Sequence, residues 1–311
     1  MINTLTLNPA IDSLLFIDRF ERTVTARVRE KAEALGGKGV HISVNLSLLG
    51  EANQAFGVLF GDTGKHIENL LTGMGVKTRF VFGEGHDSRT NYVIIEETGE
   101  STIIADRGVD LTEEDIGSAI SVLREHTADG DILVLSGDAS NVADPYIYNR
   151  FIKALSDKDV RVFVDASGRA LAGALEAAPF LVKPNRDELE GVTDIEIKND
   201  EDALRAIGAL DRYGIRNIAL SLGAEGSIVK FADGGILRAV PPGVAVRNTT
   251  GCGDAFLSGL IAGFARGYDA ERTLRTATAI SAATAADPFT VGFDTEYADS
   301  LTEQVTIEKL I

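Results

Sequence analysis

Cysteine occurs once in the 311 residues, as Cys252, so an internal disulfide is excluded. Histidine is almost as scarce: His41, His66, His86 and His126 stand far apart and never at metal-ligand spacing, so no structural zinc site is expected. No apolar run approaches the ~20 residues that span a bilayer. The opening Met1-Ile2-Asn3-Thr4-Leu5 lacks a basic region ahead of an apolar segment. A cytoplasmic location with no membrane partner is the expectation. Positive charge is in deficit too: 30 Lys and Arg against 47 Asp and Glu leave −17 at pH 7, which repels a polyanion and argues against nucleic acid as a partner. A small anionic ligand stays compatible where basic residues converge. Linkers rich in Pro, Gly or Ser and repeats of fixed period are also missing, which favours a single domain over residues 1–311.

What the chain does have is concentrated in Asn248-Thr249-Thr250-Gly251-Cys252-Gly253-Asp254, set directly before an apolar run of helical spacing from Phe256 to Phe264. Glycines at a helix start let backbone N–H groups approach a ligand, and the open donors with the helix dipole favour an anion. An ordinary cap needs one Ser, Thr or Asp. An acid inside an anion site is electrostatically unfavourable unless it acts there, and the chemistry that uses it is a base beside a phosphoryl group under attack. A capped helix after a glycine turn is the plainer alternative.

Around this stretch, strand and helix signals alternate. Residues 2–7 read as a strand ending at Asn8-Pro9-Ala10, and residues 13–20 and 24–32 as two strands of a half-exposed sheet, the second alternating Val24, Ala26, Val28. Gly36-Gly37-Lys38-Gly39 opens a helix from Val40 to Leu49. A second excursion, 90–97 and 101–105 joined by Thr98-Gly99-Glu100, is the natural partner of the first. Elsewhere short Val, Ile and Leu runs between helical segments predict strands buried on both faces. The fold class expected is therefore α/β: a three-layer core with a mostly parallel central sheet, plus a small β-sheet lid from about 12–34 and 88–107. Two such sheets could pair to form a homodimer.

Ligands of open parallel sheets bind outside the carboxyl ends of the strands. Asp12 follows the first strand, Gly36-Gly37-Lys38-Gly39 precedes a helix, Lys183-Pro184-Asn185-Arg186-Asp187-Glu188 follows the strand 180–182 and Ser221-Leu222-Gly223-Ala224-Glu225-Gly226 ends another, so that all can face one cleft. In this order, with Asn8-Pro9-Ala10-Ile11-Asp12 and Thr250-Gly251-Cys252-Gly253-Asp254, they resemble the signatures of the PfkB, or ribokinase-like, carbohydrate kinases, over residue 3 to about 290. The opening motif and the Gly-Gly-Lys-Gly loop are similar to the branch containing 1-phosphofructokinase, tagatose-6-phosphate kinase and the minor 6-phosphofructokinase.

The resemblance implies roles. Asp254 would accept the proton of the sugar hydroxyl while the N–H groups of Gly251, Cys252 and Gly253 stabilise the transferring phosphoryl group. Asp12 would anchor sugar hydroxyls, with Gly37, Lys38, His41, Arg89 and Asp138 on the substrate side. Lys183, Asn185, Ser221, Gly223 and Gly226 would bind ATP, and Glu188 would serve Mg²⁺ through metal-bound water. Each residue also has a plainer use: Asp12 as a turn residue, Lys38 as a solvated lysine, Asn185 with Glu188 as a helix cap. Cys252 is expected to contribute nothing beyond its N–H.

Two positions depart from the branch. His41 stands where Asn is usual, and Asp138 stands in Ser136-Gly137-Asp138-Ala139-Ser140, where a hydroxyl usually meets the substrate phosphate. A carboxylate about 4 Å from a phosphate charge costs on the order of 4 kcal/mol at an effective dielectric of 20. Lys38 and Arg89 pull the other way, so a ketose monophosphate is expected over an unphosphorylated sugar. Other classes fare worse: Asn8-Pro9-Ala10 replaces the Gly-x-Gly-x-x-Gly of a dinucleotide enzyme, and Gly64-Lys65-His66 fails as a P-loop. A non-catalytic sugar or nucleotide sensor on the same fold survives as a rival, although a sensor has no need of the acid at 254.

Overall fold

The computed structural model describes every residue except Gly99 and Asp138. In chain order the first strands are β1 (Ile2–Thr6), β2 (Ala10–Ile17) and β3 (Glu30–Gly36), followed by α1 (Lys38–Leu48), β4 (Asn53–Phe60), α2 (Gly61–Gly73) and β5 (Lys77–Gly83). Next come β6 (Arg89–Glu96), β7 (Ser101–Ile104), α3 (Glu113–His126), β8 (Ile132–Gly137), α4 (Ile147–Ala154), β9 (Arg161–Ala166) and α5 (Gly168–Leu175). Beyond them lie β10 (Leu181–Val182), α6 (Arg186–Thr193), α7 (Asp200–Ala209), β11 (Asn217–Ser221), β12 (Ser227–Lys230) and β13 (Ile236–Val240). The chain closes with α8 (Cys252–Arg266), α9 (Ala270–Ala285), α10 (Thr295–Thr302) and β14 (Thr306–Lys309).

Ten strands form the main sheet in the order β14-β13-β12-β11-β10-β9-β8-β1-β4-β5. From β5 across to β11 every pairing is parallel, and β12, β13 and β14 add an antiparallel edge. The strands read as unbroken apolar runs because alternate residues serve opposite faces. Leu133 and Leu135 of β8 join Val162 and Val164 of β9 under α3, α4, α5 and α7. Ile132, Val134 and Phe163 point the other way, against α1, α8, α9 and α10. The α/β fold with a mostly parallel central sheet is thus what forms. Among the described residues no helix is long and apolar enough to cross a membrane.

The second sheet has four strands in the order β3-β2-β6-β7. Its small core of Leu14, Ala34 and Val93 packs with Phe16, Ala32, Ile95 and Val291. Here the sequence pattern misplaces two elements. The alternation at 24–32 predicts a strand, but β3 starts only at Glu30, which pairs with Phe16 of β2. Residues 24–28 have no ladder partner, and Val24 and Val28 lie in an exposed connection, 59% and 49% accessible. The strand expected at 13–20 forms at Ala10–Ile17, so Asp12 lies within a strand, opposite Ala34 and Asn91, and is no turn residue. The pattern also misses α6, α10 and β14.

Candidate active site

A cleft of about 570 Å³ opens at the carboxyl ends of the parallel strands. Thr6 ends β1, Ser136 and Gly137 end β8, Asp165 lies at the end of β9, Lys183 follows β10 and Ser221 ends β11; all line it. The starts of two helices line it too, Gly37 and Lys38 of α1 and Thr250, Gly251, Gly253 and Asp254 of α8.

The α8 terminus is built by Gly251, whose φ of +86° belongs to the left-handed region; a Cβ there would sit 2.1 Å from the Thr290 carbonyl oxygen. Among the described residues no side chain caps α8, although Cys252 N donates to the Thr249 carbonyl oxygen at 3.4 Å. Asn248 shapes the approach by accepting a hydrogen bond from Thr250 N at 2.9 Å. Asp254, in the first turn, is 6% accessible, and its Oδ2 lies 2.7 Å from Nδ1 of His41. The other ring nitrogen of His41, Nε2, lies 2.8 Å from the Leu35 carbonyl oxygen. Burial opposes a charge on His41, but the Asp254 hydrogen bond and charge, aided by Asp12, raise its pKa above the ordinary 6.5.

Asp12 is reached from the other side. Its Oδ1 accepts a 2.8 Å hydrogen bond from Asn91 Nδ2, and a Cβ on Gly36 would come within 2.3 Å of that same oxygen, which explains glycine at the end of β3. Burial pushes the Asp12 carboxyl above its usual 3.8, only partly offset by Asn91, His41 and Arg89. Arg89 at the start of β6 donates from Nε to the Asn8 carbonyl oxygen and from Nη1 to that of Asp106, both at 3.0 Å.

A second charged group was not anticipated from the sequence. Asp165, 1% accessible, sits between two lysines, 3.1 Å from Lys38 Nζ and 3.2 Å from Lys183 Nζ. Burial alone would raise its pKa, but Lys183 and Lys38 together hold the carboxyl below the usual range. Asp165 is in turn the main reason that the Lys38 pKa is raised. The signal for Asp165 was the one applied elsewhere, a polar residue ending an apolar strand in Val162-Phe163-Val164-Asp165. Its pairing with residues 38 and 183 had no local trace.

The cleft thus gathers Gly37, Lys38, His41, Arg89, Lys183, Asn185, Glu188, Ser221, Gly251, Gly253 and Asp254 from five separate stretches of the chain, and adds Thr6, Ser136, Tyr148, Asp165, Ser167 and Thr250. Asp12, Cys252, Gly223 and Gly226 are not among its lining residues. At Gly226 the chain itself requires glycine, since φ is +94° and a Cβ would lie 1.9 Å from the Ala239 carbonyl oxygen of β13. Cys252 is half-buried, and burial followed by the Asp254 charge pushes its thiol up to about 11. Asn185 and Glu188 form a reciprocal cap of α6, Asn185 Oδ1 accepting from Glu188 N at 2.8 Å and Glu188 Oε2 from Asn185 N at 2.9 Å. Asp138 lies outside the described residues.

Four similarities bear on what such a cleft is for. The signature of the pfkB family of carbohydrate kinases matches residues 5–291. A 1-phosphofructokinase of Escherichia coli K12 is 33% identical over 281 residues, covering 90% of this chain and 89% of that one. A tagatose-6-phosphate kinase of Staphylococcus epidermidis is 29% identical over 99% of each chain. Among solved structures, phosphofructokinase-2 from Escherichia coli in complex with substrates and products superimposes with a TM-score of 0.92 at 25% identity, covering 97% of this chain and 98% of that one.

Proposed function

Because the chain belongs to the pfkB family of carbohydrate kinases and is therefore a sugar kinase, we propose that it phosphorylates a ketose monophosphate from ATP, in the manner of a 1-phosphofructokinase or of a tagatose-6-phosphate or 6-phosphofructokinase. The observation that carries this reading is the pairing of opposites in one cleft: an uncapped helix N-terminus holding Asp254, facing Lys38 and Lys183. The sugar hydroxyl gives its proton to Asp254, and its oxygen forms the new O–P bond. The P–O bond to the leaving nucleotide breaks, and its electron pair stays with ADP. N–H groups of residues 251–253 face the equatorial oxygens, where charge gathers during transfer.

Asp12 holds sugar hydroxyls, and Lys38 with Arg89 favours a substrate carrying its own phosphate. Lys183, Asn185 and Ser221 take the nucleotide side, with Gly223 and Gly226 shaping the turn behind them. Among the described residues no cluster of three or more His, Cys, Asp or Glu side chains is arranged to hold a metal ion. Glu188, which lines the cleft, would hold Mg²⁺ brought in with the nucleotide, and the ion when bound would neutralise phosphate charge. The four-stranded sheet serves as the lid: it is anchored at the cleft through Gly36 and Arg89, and closure would exclude water that could hydrolyse ATP. The exposed Tyr92, Ile103 and Ile104 on that sheet support a homodimer formed through it.

The test is kcat/KM with Mg-ATP for fructose 1-phosphate, fructose 6-phosphate and tagatose 6-phosphate against the free ketoses, in wild type and in Asp138→Ser. A phosphosugar should be preferred by at least about tenfold, worth about 1.4 kcal/mol. A wild type that prefers a free sugar, and gains phosphosugar activity only in Asp138→Ser, would assign it to unphosphorylated substrates instead. No turnover with any sugar would leave a sensor.

A further inference from the structure

The two contacts of His41 fix where its protons lie. The Leu35 carbonyl oxygen can only accept, so Nε2 carries a hydrogen. Nδ1 then faces Asp254 Oδ2 at 2.7 Å, a distance that needs one proton between the two atoms. Remove that proton and a ring lone pair opposes a carboxylate lone pair with little water to screen them, for both side chains are under a tenth accessible. The ring therefore does two things at once: it occupies Oδ2, leaving Oδ1 for the reacting hydroxyl, and it supplies the positive charge that lets a carboxylate sit there. The charged groups facing it are Asp254 from α8 and Asp12 from β2. Arg89 of β6 lies beyond Asp12, and Lys38, on the same helix as His41, acts on Asp254.

We infer that His41 is a positioning residue for phosphoryl transfer, holding Asp254 through a shared proton whose loss switches the enzyme off on the alkaline side. This rests on Asp254 being the base. An asparagine at position 41 has a donor N–H but no titration, so a kinase with asparagine there has no such limb. Nothing is consumed in the switch: the proton leaves for solvent and returns as pH falls.

Three measurements test it. In the rate–pH profile, wild type should lose kcat at high pH with a one-proton slope while KM for both substrates changes by less than about threefold. His41→Ala should lose at least about tenfold in kcat at every pH, a scale set by the cost of misplacing a reacting group. His41→Asn should recover part of that loss and lack the alkaline decline. An Asn variant that declines as wild type does, or an Ala variant as active as wild type, overturns the proposal. Independently of turnover, ¹⁵N-histidine NMR should find both His41 nitrogens protonated beyond the pH at which a free histidine has titrated. The titration should move to lower pH in Asp254→Asn. A His41 that is neutral at pH 7, or indifferent to that substitution, refutes the shared proton even if neither His41 variant folds. Thermal stability is the third readout: a folded-state pKa raised above the unfolded value gives a contribution full below about 6.5 and lost as pH rises through the folded value, and His41→Asn should not show this loss. Should Asp254→Asn remain fully active while the NMR linkage holds, the assignment of the base fails and the pairing stands. An inactive Asp254→Asn without linkage sinks the pairing alone.

Discussion

Asp165→Asn separates the electrostatic account of the cleft from a merely steric one. Each lysine ammonium is about 3 Å from a carboxylate oxygen of Asp165, 3.1 Å for Lys38 and 3.2 Å for Lys183. At an effective dielectric of 20, each attraction amounts to about 5 kcal/mol before desolvation is charged against it. Lys183 is buried to 5% side-chain exposure, so neutralising Asp165 strands it; stranding one member of a buried pair costs about 3–5 kcal/mol. Lys38 is 37% exposed at the side chain and water screens it, which places the expected loss near the lower end, about 3 kcal/mol. With about 2.1 cal/mol/K of unfolding entropy per residue over 311 residues, that loss lowers Tm by roughly 5 °C. Phosphate ligands should then reverse the order: two ammonium groups without a counter-anion gain more from a bound phosphate, so ATP should raise the Tm of the variant by more than it raises that of wild type. The pH dependence has a definite sign. A depressed folded pKa gives stability that is present above the ordinary 3.8 and lost as pH falls through the folded value, so the two proteins should converge in acid. The assay is differential scanning calorimetry with and without ATP. A variant within about 1 °C of wild type at pH 7, gaining no more from ATP than wild type gains, would refute the charge-bridge reasoning.

Three further outcomes are expected. Asp254→Asn should lose ~10²–10⁴ in kcat while ATP affinity by calorimetry survives, and a variant keeping more than about a tenth of the rate would remove Asp254 as the base. Asp12→Asn should be more stable than wild type at pH 7 yet weaken KM for the sugar by about tenfold or more. Burial raises the folded pKa of Asp12, so its contribution is full below 3.8 and lost as pH rises through the folded value; the Asn side chain escapes that cost and still accepts from Asn91. A drop in Tm at pH 7 would count against this. With its thiol pushed up to about 11, Cys252 should react slowly with maleimide at neutral pH, so that Glu97→Cys, exposed beside the β6–β7 connection, takes the label selectively. That fluorophore should change on adding sugar substrate if the small sheet closes, and an unmoved signal would leave it a static or dimer-forming surface.

The parts of this molecule that could be read in advance are those whose cause is local. Val, Ile and Leu runs betray strands buried on both faces, and glycines before an apolar run betray a helix start, because each feature constrains its own few residues. Residues 24–28 show the limit of that rule: the alternation Val24, Ala26, Val28 fits a strand, but a strand also needs a partner, and β2 ends its pairing with β3 at Phe16 and Glu30. The same limit governs the site. Asp165 leaves no local trace because its meaning lies in lysines 127 residues away on one side and at position 183 on the other. His41 was visible only as a departure from asparagine, since the hydrogen bond that gives it a role spans 213 residues. Substituting a titratable ring for a neutral amide leaves the helix, the glycine loop and the acid of the site in place, so the family signature survives unchanged. What it alters is the proton inventory next to Asp254, and that quantity is set by the distance and burial of both partners together. If this enzyme differs in kind from kinases with asparagine at that position, the difference should therefore appear in its pH profile before it appears in its choice of sugar.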